Sequence, residues 1–237
     1  GQAPSVEQLG LITEDMIWMV ETEAAGQRVL TPVVYLAQAT KDMIQTGAVI
    51  AADDIDMDLE SVENVGSTIT AKADLKIKSK DDIRNTSGKI KGENVSLEST
   101  QGSVINETST QASGNENRFI TTIGKTAGIE ATNNLDITAE ENIVVLGADV
   151  IAGGDAALDA AGDITFDTIV AKTTNRGRSL AGGSESSVTT TTENNTGSNL
   201  QVGNNLKLNS GGDTTLAGSN AAVGGNLDAA TGGDFNI

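Results

Sequence analysis

Hydrophobic and polar positions alternate along most of this chain in a short, recurring unit. A turn residue is followed by Asn or Asp, and then by apolar-x-apolar. The unit occurs at Asp54-Ile55-Asp56-Met57, Asp74-Leu75-Lys76-Ile77 and Asn94-Val95-Ser96-Leu97. It returns at Asn134-Leu135-Asp136-Ile137, Asn142-Ile143-Val144-Val145 and Asp163-Ile164-Thr165-Phe166. Further copies are Asn199-Leu200-Gln201-Val202, Asn205-Leu206-Lys207-Leu208 and Asp234-Phe235-Asn236-Ile237. A period of two is the pattern of a short strand with one face buried. A longer beat lies above it: Ile55 to Leu75 and Leu75 to Val95 are 20 residues apart, and Ile143 to Ile164 and Leu206 to Leu227 are 21. Three short strands in each 20 to 21 residues predict an all-β, right-handed parallel β-helix whose triangular coils stack on one another. A β-sandwich is the main alternative, but it calls for longer strands, hairpin turns and more aromatic residues.

The beat divides the chain. Residues 51–106, 128–167 and 199–237 read as regular coils, about six in all. Two interruptions, 107–127 and 168–198, read as β-hairpins extruded from the solenoid. The first holds Ser113-Gly114-Asn115-Glu116-Asn117 beside Arg118-Phe119-Ile120-Thr121-Thr122-Ile123, and the second the strand-favouring run Val188-Thr189-Thr190-Thr191-Thr192 with a Gly/Ser-rich tip at Gly182-Gly183. Residues 1–50 differ from the rest, with the only Trp and Tyr, both prolines and strand-like runs at 15–20 and 33–36. They read as a segment leading into the coils or as irregular coils, with Trp18 as a core residue. The corner triplets Gly-Asn-Asn (203–205), Gly-Gly-Asp (211–213, 232–234) and Gly-Gly-Asn (224–226) are expected to supply left-handed backbone.

Composition sharpens this picture. Aromatics are 2% of residues, so a core must be built from Val, Ile, Leu and Ala. Hydrophobic content of 37% with a net charge of −18 also fits a disordered chain, but disordered chains lack regular apolar spacing. The acidic balance argues against nucleic acid as a partner. There is no Cys and no His, which removes disulfides, thiol catalysis, Ser-His-Asp triads and Cys/His zinc sites. No apolar run reaches the ~20 residues of a transmembrane helix. Without an initiator Met or a signal peptide, the chain reads as an internal piece of a longer protein.

Candidate chemistry is sparse. Asp53, Asp54, Asp56, Asp58 and Glu60 form the densest acidic run. On a strand its alternate members line one solvated edge, at most a weakly specified Ca²⁺ contact. The Gly-Gly-x-Gly-x-Asp calcium nonapeptide and the phosphate-binding glycine motifs are absent. Glycan-cleaving β-helices need clustered carboxylates or basic residues along a groove, often with aromatics for sugar stacking, and the coils are short of aromatics. No enzyme activity, cofactor or metal is expected. The candidate partner-contact residues are Asn115 and Arg118 in the first insertion and Arg176 and Arg178 in the second, the latter pair a basic island expected in a loop.

The alternating repeat with Gly-Asn/Asp corners resembles the filamentous haemagglutinin repeats of two-partner secreted exoproteins. The stretch Ile12–Glu21, followed by Val29–Leu36 and by Gly47-Ala48-Val49-Ile50-Ala51-Ala52, is similar to segments of large CdiA-like exoproteins of contact-dependent growth inhibition. The resemblance implies export through an outer-membrane secretion partner and display at the bacterial surface. It also implies a role in toxin delivery or in adhesion, with a target-cell surface or outer membrane as a further partner. It carries over no catalytic residue, and no obligate oligomer is expected.

Overall fold

The computed structural model describes residues 16–24, 27–35, 47–115, 118–181 and 184–237. The described residues contain strands and no helix, and the chain divides into two units, 1–46 and 47–237. Within the first, β1 (Met16–Ala24) and β2 (Gln27–Tyr35) form an antiparallel hairpin in which Trp18 lies opposite Val33. The side chain of Trp18, read above as core, lies outside the described residues.

The second unit is a parallel β-helix of seven coils with three seven-stranded sheets. Face one stacks β3 (Val49–Ala52), β6 (Thr68–Ala71), β9 (Lys89–Gly92), β14 (Gly128–Ala131), β17 (Asp149–Ala152), β22 (Asn199–Val202) and β25 (Asn220–Val223). Face two stacks β4 (Ile55–Leu59), β7 (Asp74–Ser79), β10 (Asn94–Ser99), β15 (Leu135–Ala139), β18 (Ala156–Ala160), β23 (Leu206–Ser210) and β26 (Leu227–Thr231). Face three stacks β5 (Val62–Val65), β8 (Ile83–Thr86), β11 (Val104–Glu107), β16 (Ile143–Leu146), β19 (Ile164–Asp167), β24 (Thr214–Leu216) and β27 (Phe235–Asn236). Each coil rises about 4.8 Å, the separation of hydrogen-bonded strands.

The period-two pattern sets the interior. Inward residues of successive coils lie in register and form columns. Ile69, Ile90, Ile129, Val150 and Leu200 stack on face one, and Leu75, Val95, Leu135, Ala156 and Leu206 on face two. These are all buried. Burying each large aliphatic side chain contributes about 1.5–3 kcal/mol, so the columns stand in for a globular core.

One column on face three is polar at its start. Asn64, Asn85 and Asn106 are inward and buried, and their amides form a chain: Asn64 Nδ2 donates to Asn85 Oδ1 (2.7 Å) and Asn85 Nδ2 to Asn106 Oδ1 (2.8 Å). Asn85 also donates to the Gly88 carbonyl at 3.0 Å, and Asn106 to that of Asp149 at 2.9 Å. No described buried side-chain N or O atom lacks a partner. From the fourth coil onward the same column is Val145, Phe166 and Leu216. The change from amide to apolar falls where the first insertion leaves the solenoid.

The Asn/Asp before each apolar-x-apolar unit has a role that the sequence reading missed. At the corner before face two, side-chain oxygens accept the main-chain N–H of the counterpart one coil on: Asp54 from Asp74 (3.1 Å), Asn134 from Asp155 (3.0 Å), Asp155 from Asn205 (3.0 Å) and Asn205 from Asn226 (3.0 Å), while Asp74 accepts instead from the Asn94 side-chain amide (2.9 Å). The corner before face three repeats this with Asn142, Asp163 and Asp213 accepting from Asp163, Asp213 and Asp234. The expected left-handed backbone is also elsewhere. Positive φ falls at the third corner, on Gly66, Gly147, Gly218 and the non-glycine Ser87, and not in the Gly-Gly-Asx triplets. In those triplets the coils approach too closely for a side chain: a Cβ on Gly224 would meet the Gly203 carbonyl oxygen, and one on Gly232 that of Gly211.

Candidate functional site

Both insertions leave the solenoid at the same corner, between a face-three strand and a face-one strand. The first connects β11 to β14 as β12 (Thr110–Asn115) and β13 (Arg118–Ile123); the second connects β19 to β22 as β20 (Ile169–Ala181) and β21 (Ser184–Thr196). The sequence predicts two separate hairpins. The structure joins them into one four-stranded antiparallel sheet, β12-β13-β20-β21, through Arg118–Asn175, Phe119–Thr174 and Ile120–Thr173.

The geometry of the solenoid accounts for the junction. The first hairpin leaves coil three and returns at coil four; the second leaves coil five and returns at coil six. Four strands at four consecutive levels, alternating outward and inward, stand one strand spacing apart and antiparallel. The block 128–167 supplies the two coils this requires.

Of the candidate contact residues, Asn115 and Arg118 close the first hairpin as a pair, with the Arg118 N–H donating to Asn115 Oδ1 at 3.0 Å. Arg118 is directly opposite Asn175 on β20. Arg176 is opposite Thr189, one position further along β20, so its side chain leaves the face of the sheet opposite to that of Arg118. Arg176 and Arg178 thus lie within a 13-residue strand and not in a loop, because the β-branched run 188–192 extends the pairing. The Arg178 backbone pairs with Ser187; its side chain and the tip 182–183 lie outside the described residues. Arg118 and Arg176 are both exposed. The Arg176 face also carries Phe119 (43% exposed), Val170 and the ion pair Lys172–Glu193 (2.9 Å).

The acidic run is dispersed by its partners. Asp53 pairs with Lys72 (2.6 Å) and Glu60 with Lys80 (2.8 Å), while Asp56 and Asp58 stand opposite Lys76 and Lys78 of the next coil. Lys78 also bonds Glu98 at 2.9 Å, and this hydrogen bond, with the charge of Glu98, raises its pKa; Glu60 does the same for Lys80. Among the described residues no group of three or more Asp/Glu is placed to hold a metal ion. The most buried ion pair spans the first insertion. Glu130 of coil four accepts from Lys89 (2.6 Å) and Lys91 (2.8 Å) of coil three. Burial pushes the Glu130 carboxyl up, but the hydrogen bonds and charges of the two lysines outweigh it and hold the carboxyl below its ordinary range.

Stacked coils, Asx-lined corners and an extruded sheet define a solenoid repeat segment. The hemagglutinin repeat model matches residues 121–179 and 169–237. The chain is 32% identical over 71% of its length to "tRNA nuclease CdiA" of Escherichia coli (strain STEC_O31), covering 6% of that protein. It is 33% identical over 63% of its length to "16S rRNA endonuclease CdiA" of Enterobacter cloacae, covering 5% of it, and 29% identical over 65% to "Deoxyribonuclease CdiA" of Dickeya dadantii, covering 6%. No solved structure matches. The chain belongs to the haemagglutinin-repeat region of the filamentous haemagglutinin and CdiA-like exoproteins, and is a segment of a large exoprotein secreted to the bacterial surface. It spans about one-twentieth of the relatives' length, and the nuclease activities in their names are those of the whole relatives.

Proposed function

We propose that this segment is a non-catalytic structural rod that supports toxin delivery in contact-dependent growth inhibition, within an exoprotein exported through an outer-membrane secretion partner. One observation carries the reading. The same stretch recurs in relatives named for cutting tRNA, 16S rRNA and DNA, so it does not choose the nucleic acid cut. Repeating columns and ladders suit a spacer whose length is set by coil number. The test replaces 47–237 in the parent exoprotein with an unrelated solenoid of equal coil number and measures target-cell survival in co-culture. A rod predicts that inhibition persists while surface display is unchanged; loss of inhibition with normal display overturns the reading.

The convergence of both insertions on one projecting sheet favours a second reading, an adhesin segment that grips a target-cell or host surface. Asn115, Arg118, Arg176 and Arg178 are then its contact residues. Deleting 168–198 separates the two: a passive stalk keeps target-cell attachment and an adhesin loses it.

A further inference from the structure

The two edges of the extruded sheet are unequal. On one side β12 is six residues long and contains Gly114 at φ +135°, so its edge is short and bent. On the other side β21 is 13 residues long and paired along its whole length to β20. Among the described residues no strand pairs with its outer side. Edge strands are normally protected by Pro, Lys, bulges or short length. β21 has no Pro, no Lys and no interruption in its register, and residues 187–195 are all exposed, Val188 at 65%. An unpaired row of main-chain N–H and C=O groups this long is a template for another strand.

Charge and sequence select the occupant. The whole chain carries −18, which keeps copies apart through their coils. Residues 110–123 and 169–196 together carry four Lys/Arg against three Asp/Glu, a net of +1, so the sheet is where two copies can meet with the least like-charge repulsion. β21 is also complementary to itself. Antiparallel pairing about Thr190 sets Thr189 opposite Thr191, Val188 opposite Thr192 and Glu193 opposite Ser187. Every position thus meets a residue suited to a cross-strand pair, and no two Glu face each other. The arrangement is a two-fold, isologous contact.

We propose that β21 is a homotypic docking edge, by which a second copy of this chain adds its own β21 to give a continuous eight-stranded sheet. The contact is main-chain and weak, and it strengthens when salt screens the acidic coils. It does not depend on the rod or adhesin readings above.

The test is sedimentation velocity of the full chain across a concentration series, in dilute and in high salt. A monomer–dimer equilibrium shifted toward dimer by salt is expected; a monomer throughout overturns the proposal. Two exposed-site variants test the register. V188K/T192K sets Lys opposite Lys across the two-fold axis and should weaken the dimer by roughly tenfold. V188E/T192K sets Glu opposite Lys and should restore it. Equal behaviour of the two variants, or a dimer indifferent to both, overturns the edge contact. Circular dichroism confirms that both variants keep the fold.

Discussion

Asn85 shows how tightly one residue can be written into a coil. Its amide receives from Asn64 and donates to Asn106 and to the Gly88 carbonyl, all inside the solenoid. Replacing it with Ala takes the donor from the Asn106 side-chain oxygen and one acceptor from the Asn64 amide, which keeps the Ser67 carbonyl, at about 1–3 kcal/mol for each lost partner. N85A is therefore expected to lose about 2–4 kcal/mol of stability, read from the urea midpoint at unchanged m-value. Glu130 makes a pH-dependent contribution. Its folded pKa lies below the ordinary carboxylate value, so its stabilisation is present above that value and disappears as pH falls through the lowered one. E130Q should be less stable than the parent near neutrality and converge with it in acid, as followed by thermal melts against pH. A gap that persists in acid would assign the effect to packing instead.

At the scale of elements, the extruded sheet depends on the distance between its hairpins. Duplicating one coil, residues 128–148, should move them one strand spacing further apart and break the β13–β20 ladder. Amide exchange at 118–120 and 173–175 should then become fast, while the coils stay protected. Much of this architecture is legible in the sequence. The spacing of Ile55, Leu75 and Val95 reveals the coil, and the loss of that beat at 107 and 168 reveals the insertions. The union of the hairpins is a sum over levels of the solenoid, and no local pattern contains it. The Asx residues were visible, but their ladders require knowing which corner stacks on which. The arginines were visible too; their placement within a strand followed from a pairing partner, the threonine run, that lies across the turn.

The described solenoid, 47–237, behaves as a stack in which each coil contacts only its neighbours. Removing residues 206–226 joins Asn205 to Leu227, which occupies the position of Leu206 one coil on. That deletion should keep the β-sheet spectrum and a cooperative melt. Removing 206–216 brings a face-one strand into a face-two slot and should unwind the coils after residue 205, lowering the β-sheet signal and the cooperativity of the melt while the preceding coils stay folded. Circular dichroism distinguishes the outcomes. The corner ladders also have a direction: an Asx oxygen in one coil receives the N–H of a residue that comes later in the chain. A completed coil thus presents ready acceptors to residues not yet laid down. A growing chain can wind one turn at a time, each new turn templated by the last.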